Sequence, residues 1–216
     1  MARLPLFPLN TVLFPGMPLP LHIFEERYKL MIGRCIEQRA PFGVVLIRSG
    51  EEAGEPAEPF DVGTTARIAR VQRLDDGRMN LVTLGHERFR IRSRGGDQPY
   101  LTGDVELLAS EELDAPQAED EAHRVAALFG EHLRLRLAVS GQWTRAVDLP
   151  SEPDRLADFV AAGLDAPQTF KQELLETLSV PERLRREAEL LGKQVRELAD
   201  RWQELRRTKY AGAALN

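Results

Sequence analysis

Few residues of this chain have a spacing that could do chemistry. His22-Ile-Phe-Glu25-Glu26 sets an imidazole close to two carboxylates, the beginning of a zinc site or an acid–base pair. A zinc hydrolase needs two imidazoles on one helical face plus a third ligand, and the second histidine is missing, so no metal is expected there. His86, His123 and His132 are scattered, and isolated histidines usually serve as hydrogen-bonded structural residues. Cys35 is the single cysteine, which rules out an intramolecular disulfide and the cysteine-pair zinc sites. No histidine lies beside it to activate the thiol, so it reads as core and not as a nucleophile. Lys171 and Lys209 fall on polar helical positions with no serine placed to form an activated pair, and both read as solvated. No Gly-x-x-x-x-Gly-Lys-Ser/Thr run is present to cradle nucleotide phosphates. The expectation is therefore no catalytic residue, no cofactor and no metal.

One charge anomaly stands out. Residues 67–94 hold eight arginines against three acids, and Arg88, Arg90, Arg92 and Arg94 alternate with Phe89, Ile91 and Ser93. On a strand this puts four guanidinium groups on one face, a ladder able to grip phosphates unless neighbouring acids satisfy it. The bulk charge gives such binding no help. The net charge is −5, divided as 14 basic against 16 acidic residues over 1–112 and 15 against 18 over 113–216.

The elements that must position these groups begin with a proline-rich apolar stretch, residues 1–28, in which Pro5, Pro8, Pro15, Pro18 and Pro20 forbid one spanning helix. It must form short extended pieces at the rim of a sheet, turning at Pro15-Gly16. Along such pieces Phe14, Met17, Leu19, Leu21 and Phe24 cannot all point inward, which makes them candidates for an apolar groove. Residues 25–38 read as a helix with Tyr28, Met31, Ile32, Cys35 and Ile36 on one face. Residues 42–48 read as a buried strand, followed by a solvated acidic loop at 51–59. Strands at 62–74 and 78–84 flank an Asp75-Asp76-Gly77 hairpin; Gly85 breaks the pairing; further strands occupy 89–94 and 100–108. Six or more short strands with hairpin spacing and one inserted helix predict a closed or nearly closed antiparallel barrel.

From about Pro116 the period lengthens to that of a helix. Helices are expected over 118–137, from Ser151-Glu-Pro-Asp154 to Gly163, after Asp165-Ala-Pro-Gln168, and after the capping box Ser179-Val-Pro-Glu182. In the last, Leu184, Ala188, Leu191, Val195, Leu198, Trp202 and Leu205 form an a/d seam. Packing within a small bundle is favoured for it, with a homodimer through residues 184–205 as the alternative. The fold class is α+β, divided as a β subdomain at 1–112 and a helical bundle at 113–216. The N-terminus lacks an uninterrupted hydrophobic core and a cleavage signal, so a cytoplasmic protein with no membrane partner is expected.

The opening LPLFPLNTVLFPGMPLPLHIFEERY resembles the start of the substrate-binding N-terminal domain of Lon proteases. The likeness continues through Gly63-Thr64, Asp76-Gly77, Gly85, Arg88-Phe89 and Pro99-Tyr100, and through the helical run from DRLADFVAAGL to GKQVREL. The resemblance implies a PUA-like β-barrel with one inserted helix, followed by a helical bundle ending in a long helix. It implies a stand-alone, non-catalytic protein- or peptide-binding module without the ATPase and peptidase. Its partners would be unfolded or exposed hydrophobic polypeptide segments, and a separate protease or chaperone could receive them. Glu26, Arg27, Tyr28, Arg88 and Tyr100 match motif positions and are expected to tie the first helix to the barrel. Because PUA-like folds include RNA binders, RNA held on the Arg88/Arg90/Arg92/Arg94 face is the alternative function. A hydrolase using His22 with Glu25 or Glu26 is the third reading.

Overall fold

The computed structural model describes residues 2–52, 57–142 and 147–213. Residues 53–56 of the expected acidic loop lie outside that set. Contacts group the chain into two compact units, Met1–Ser110 with Ala161–Leu178, and Glu111–Val160 with Ser179–Asn216. Residues 161–178, expected with the bundle, group with the strands.

The first unit contains β1 (Ala2–Leu9), β2 (Pro18–Ile23), α1 (Glu26–Gln38), β3 (Phe42–Ser49), β4 (Glu58–Arg73), β5 (Met79–Gly95) and β6 (Thr102–Leu108). The strands follow the order β2-β5-β4-β3-β1-β6, and β5 also pairs with β6, so the ladder closes through β5 and leaves β2 attached outside the ring. The sheet is mixed and not purely antiparallel as expected, because β1 and β3 run parallel. Parallel neighbours need a crossover between them, and α1 provides it. Phe7, Met31, Ile32, Phe42, Val44 and Leu81 are buried in one apolar cluster, and Leu4, Leu6, Val45, Phe89, Ile91 and Val105 in another.

Residues 78–84 and 89–94, expected as separate strands, form the continuous β5. Gly85 does not end the strand. It admits the N-terminal segment, since a Cβ there would lie 2.2 Å from the Phe14 carbonyl oxygen. The backbone seals that contact, with the Gly85 amide donating to the Met17 carbonyl at 3.0 Å and the Gly16 amide to the Gly85 carbonyl at 2.9 Å. Thr64 adds a buried bond, its hydroxyl donating to the Leu13 carbonyl at 2.6 Å.

The helix α4 (Gln168–Glu176) belongs to this unit. Gln168 Oε1 accepts from the Val12 amide at 3.0 Å, and Gln172 Nε2 donates to the Val62 carbonyl at 2.9 Å. Such bonds satisfy strand and loop backbone that would otherwise be buried unpaired.

The second unit contains α2 (Pro116–Val139), most of α3 (Pro153–Gly163) and α5 (Val180–Ala213). Leu184, Ala188 and Leu191 of the expected seam are fully buried there, Val195, Leu198 and Trp202 half-buried, and Leu205 exposed. Internal packing therefore uses the first part of the seam. Buried with it are Arg183, Glu187, His132 and Asp158, charged or polar groups inside a helical core. The ring of His132 stacks on Phe129 with centroids 6.5 Å apart. No helix among the described residues is long and apolar enough to cross a membrane.

Candidate functional site

The five groove candidates separate by burial. Phe14 and Leu19 are core residues and cannot meet a partner, which corrects the expectation for both. Phe14 is fixed by the docking of its segment on Gly85, and Leu19 by strand alternation, which turns its side chain inward. Met17 and Leu21 are half-buried, and both pack against the main cluster. Phe24, just past the end of β2, is 53% exposed.

Leu21 and Phe24 line a cleft of about 210 Å³ with Phe7, Leu9, Pro20 and Tyr28. This is below the roughly 300–1,000 Å³ of ordinary small-molecule sites. His22, Glu25 and Glu52 also border it. His22 Nδ1 lies 2.7 Å from Asn80 Oδ1, and its ring stacks on Phe24 at 6.0 Å. Glu25 is paired with Arg27 Nε at 2.9 Å. Glu26 is exposed, joined to Lys29 and not part of the cleft lining, so the imidazole and the two carboxylates do not converge on one reacting centre. Among the described residues no group of three or more His, Cys, Asp or Glu side chains could hold a metal ion.

The apolar surface continues from the cleft onto the outer face of the sheet. Pro18 pairs with Leu84 and Pro20 with Val82 across β2 and β5. Leu84 is 45% and Val82 40% exposed, and both prolines are exposed as well. Sequence reading passed over Val82 and Leu84. The signal was available in Met79-Asn-Leu-Val-Thr-Leu84, where apolar residues occupy both strand faces instead of alternating.

Three of the four arginines of the β5 ladder are already engaged. Arg88 is buried and its Nε donates to the Leu175 carbonyl at 3.1 Å, fastening α4 to the sheet. Arg90 is half-buried. Arg92 Nε donates to Glu106 at 2.8 Å, and Arg94 Nη2 lies 2.7 Å from Asp61. A register shift between Ile91 and Ser93 further breaks the expected even row. The four guanidinium groups therefore do not form one open phosphate-binding face.

Of the residues expected to tie α1 to the sheet, Arg27, Tyr28 and Tyr100 meet around this helix together with Arg34, whereas Glu26 pairs with Lys29 and Arg88 with α4. Arg34, not singled out from sequence, donates to the Tyr100 hydroxyl at 2.9 Å and to Gln98 at 2.6 Å. Arg27 lies 4.6 Å from the centre of the Tyr28 ring, and Tyr28 meets Phe7 edge-on at 4.2 Å. Burial, opposed by Arg27, holds the Tyr28 phenol above its ordinary pKa.

Cys35 is buried as expected, and burial pushes its thiol up to about 11, which leaves it unreactive near neutrality. Lys171 is not simply solvated: it donates to the Ala162 carbonyl at 3.0 Å, and burial lowers its pKa against the pull of Asp165. Lys209 lies outside the residues whose side chains are described.

Comparison with known proteins fits this architecture. The family described as ATP-dependent protease La (LON) substrate-binding domain matches residues 3–193. A Lon protease of Anaeromyxobacter dehalogenans is 31% identical over 195 residues, covering 89% of this chain and 23% of that protein. One from Paraburkholderia phytofirmans is 33% identical over 177 residues, covering 81% and 22%. The chain thus spans about a quarter of the length of the curated relatives it matches. The crystal structure of a Lon N-terminal domain protein from Xanthomonas campestris superposes with a TM-score of 0.63 at 25% identity, covering 86% of this chain and 96% of that one. The N-terminal domain of a Mycobacterium avium complex Lon protease gives 0.68 at 20% identity, covering 88% and 98%, a likeness of fold.

Proposed function

We propose that this chain, which belongs to the family of ATP-dependent protease La (LON) substrate-binding domains, is a non-catalytic module that binds exposed apolar segments of unfolded polypeptides. The observation that carries this reading is the outward apolar surface of Pro18, Pro20, Val82 and Leu84, which runs into the cleft holding Leu21 and Phe24. Contiguous exposed apolar faces larger than about a few hundred Å² are uncommon on isolated soluble domains and mark interaction sites. Its shape suits side chains in sequence better than one enclosed small molecule. The prolines cost nothing here, because recognition through side chains needs no backbone donors from β2. A cytoplasmic setting, with clients passed to a separate protease or chaperone, belongs to the same proposal.

The test is fluorescence anisotropy with a labelled, reduced and alkylated polypeptide that cannot fold. The Phe24→Ser/Leu84→Ser variant should bind about tenfold more weakly, equivalent to about 1.4 kcal/mol. Both side chains are already largely exposed, so its unfolding midpoint should hardly move. Equal binding by the variant and the parent chain would sink the proposal.

A further inference from the structure

The sheet has a second open place, distinct from the apolar face just described. β3 stops pairing with β4 at Phe42, opposite Ala66, so Arg67–Arg73 of β4 bond to β5 on one side and to no strand among the described residues on the other. The unpaired side opens on a cleft of about 530 Å³. Its floor is apolar, formed by Cys35, Ile36, Pro41, Ile68 and Val71, and Arg39, Arg67 and Arg70 stand at its rim.

Two features give this edge a defined chemistry. The first is a bulge. Strict alternation would put Ile68 and Val71 on opposite faces of β4, but the register shifts between Ile68 and Arg70, leaving Ala69 without a counterpart on β5. Ile68 and Val71 both pack against the main core cluster as a result, while Arg67 and Arg70 both point to solvent. The second is charge. Arg39, Arg67 and Arg70 form no ion pair with any described residue, on a chain whose net charge is −5. On β5, by contrast, Arg92 and Arg94 have carboxylate partners.

We infer that the Arg67–Arg73 edge is a docking site for an extended polypeptide segment in which apolar and acidic residues alternate, added to the sheet as a further strand. Backbone bonding would supply the affinity and alternate side chains the selectivity. One set of side chains continues the Ile36–Ile68–Val71 floor; the other meets the arginines. The fit follows from charge complementarity and from strand period. A uniformly apolar segment would leave the three guanidinium groups without partners, and a basic one would be repelled.

The experiment uses the full chain and a fluorescein-labelled peptide of alternating valine and glutamate. Three further probes accompany it: the same sequence with lysine for glutamate, the same sequence N-methylated at alternate residues on its bonding edge, and an oligoadenylate of similar charge. Binding of the acidic peptide, weakened at least tenfold by the lysine replacement, by N-methylation and by Arg67→Glu/Arg70→Glu, is the expected result. Arg124→Glu/Arg134→Glu changes net charge equally on exposed positions of α2 and should leave binding intact. Absence of binding, or equal binding of the acidic and lysine peptides, overturns the inference and leaves the arginines as guards against edge-to-edge aggregation. Tighter binding of the oligoadenylate also overturns it, in favour of a phosphate site. Insensitivity to N-methylation overturns strand addition. The peptide arms retain their force even if the charge-reversal variant fails to fold, and failure of the Phe24→Ser/Leu84→Ser test does not affect this one.

Discussion

The two open strand edges of the first unit are protected by different chemistry. On β2 the Met17 carbonyl accepts from Gly85, so strand alternation turns the backbone of residues 18, 20 and 22 toward the free side. Pro18 and Pro20 occupy two of those three positions and have no N–H to offer. On β4 the edge from Arg67 to Arg73 contains no proline and keeps its donors, with arginines and a bulge beside them. A proline-blunted edge can recognise only through side chains. A charge-guarded edge excludes its own kind yet stays open to a strand of opposite charge.

Perturbing either edge should sharpen that contrast, and the largest effect is expected at the support of the β2 edge. Gly85→Val would drive a side chain into the Phe14 carbonyl, 2.2 Å from the position of a Cβ. It should cost about 3 kcal/mol or more, measured by urea unfolding, and abolish unfolded-polypeptide binding with it. Thr64→Val leaves the Leu13 carbonyl without its buried donor and should cost about 1–3 kcal/mol in the same assay. A loss below a few tenths would show that the N-terminal segment is held by its other contacts. Pro18→Thr/Pro20→Thr restores two donors to β2 and should produce weak, concentration-dependent self-association in sedimentation velocity, whereas the parent edge should not support it. A strictly unchanged sedimentation profile would argue that the prolines serve the apolar face alone.

The smallest effect concerns the floor of the β4 cleft. Burial raises the Cys35 thiol from 9.0 to about 11. Between those values the unfolded chain gives up the proton while the folded chain retains it, so this group's contribution is intact below pH 9 and declines as pH rises toward 11. Cys35→Val should remove that decline. The difference between the two chains' unfolding free energies, followed across this window, isolates the thiol from other alkaline titrations. Parallel curves would mean that the thiol is not desolvated.

Much of the architecture was legible in the sequence. The helical period of 25–38, the hairpin at Asp76-Gly77 and the change of period near Pro116 each depend on local chemistry, and the corresponding elements lie within a few residues of their expected places. The site was less legible. Phe14 and Phe24 both sit in the same proline-rich stretch and cannot be told apart by type, yet one is fully buried and the other more than half exposed. Their difference arises from the contact of residues 13–17 with Gly85, about seventy positions away. Arg88 and Arg92 likewise share an alternating pattern, while one fastens a helix and the other pairs with Glu106 across the sheet.

By itself, the sequence determined the α+β class and the extended proline-rich opening. Periodicity and proline stereochemistry are local properties that survive any arrangement of the chain. Tertiary structure alone decided the parallel pairing of β1 with β3, the place of α4 among the strands, and the bulge at Ala69 that turns two arginines outward. Each of these depends on which distant backbone completes a hydrogen-bond ladder, and a ladder's partner is set by closure of the whole sheet, not by the residues of either strand.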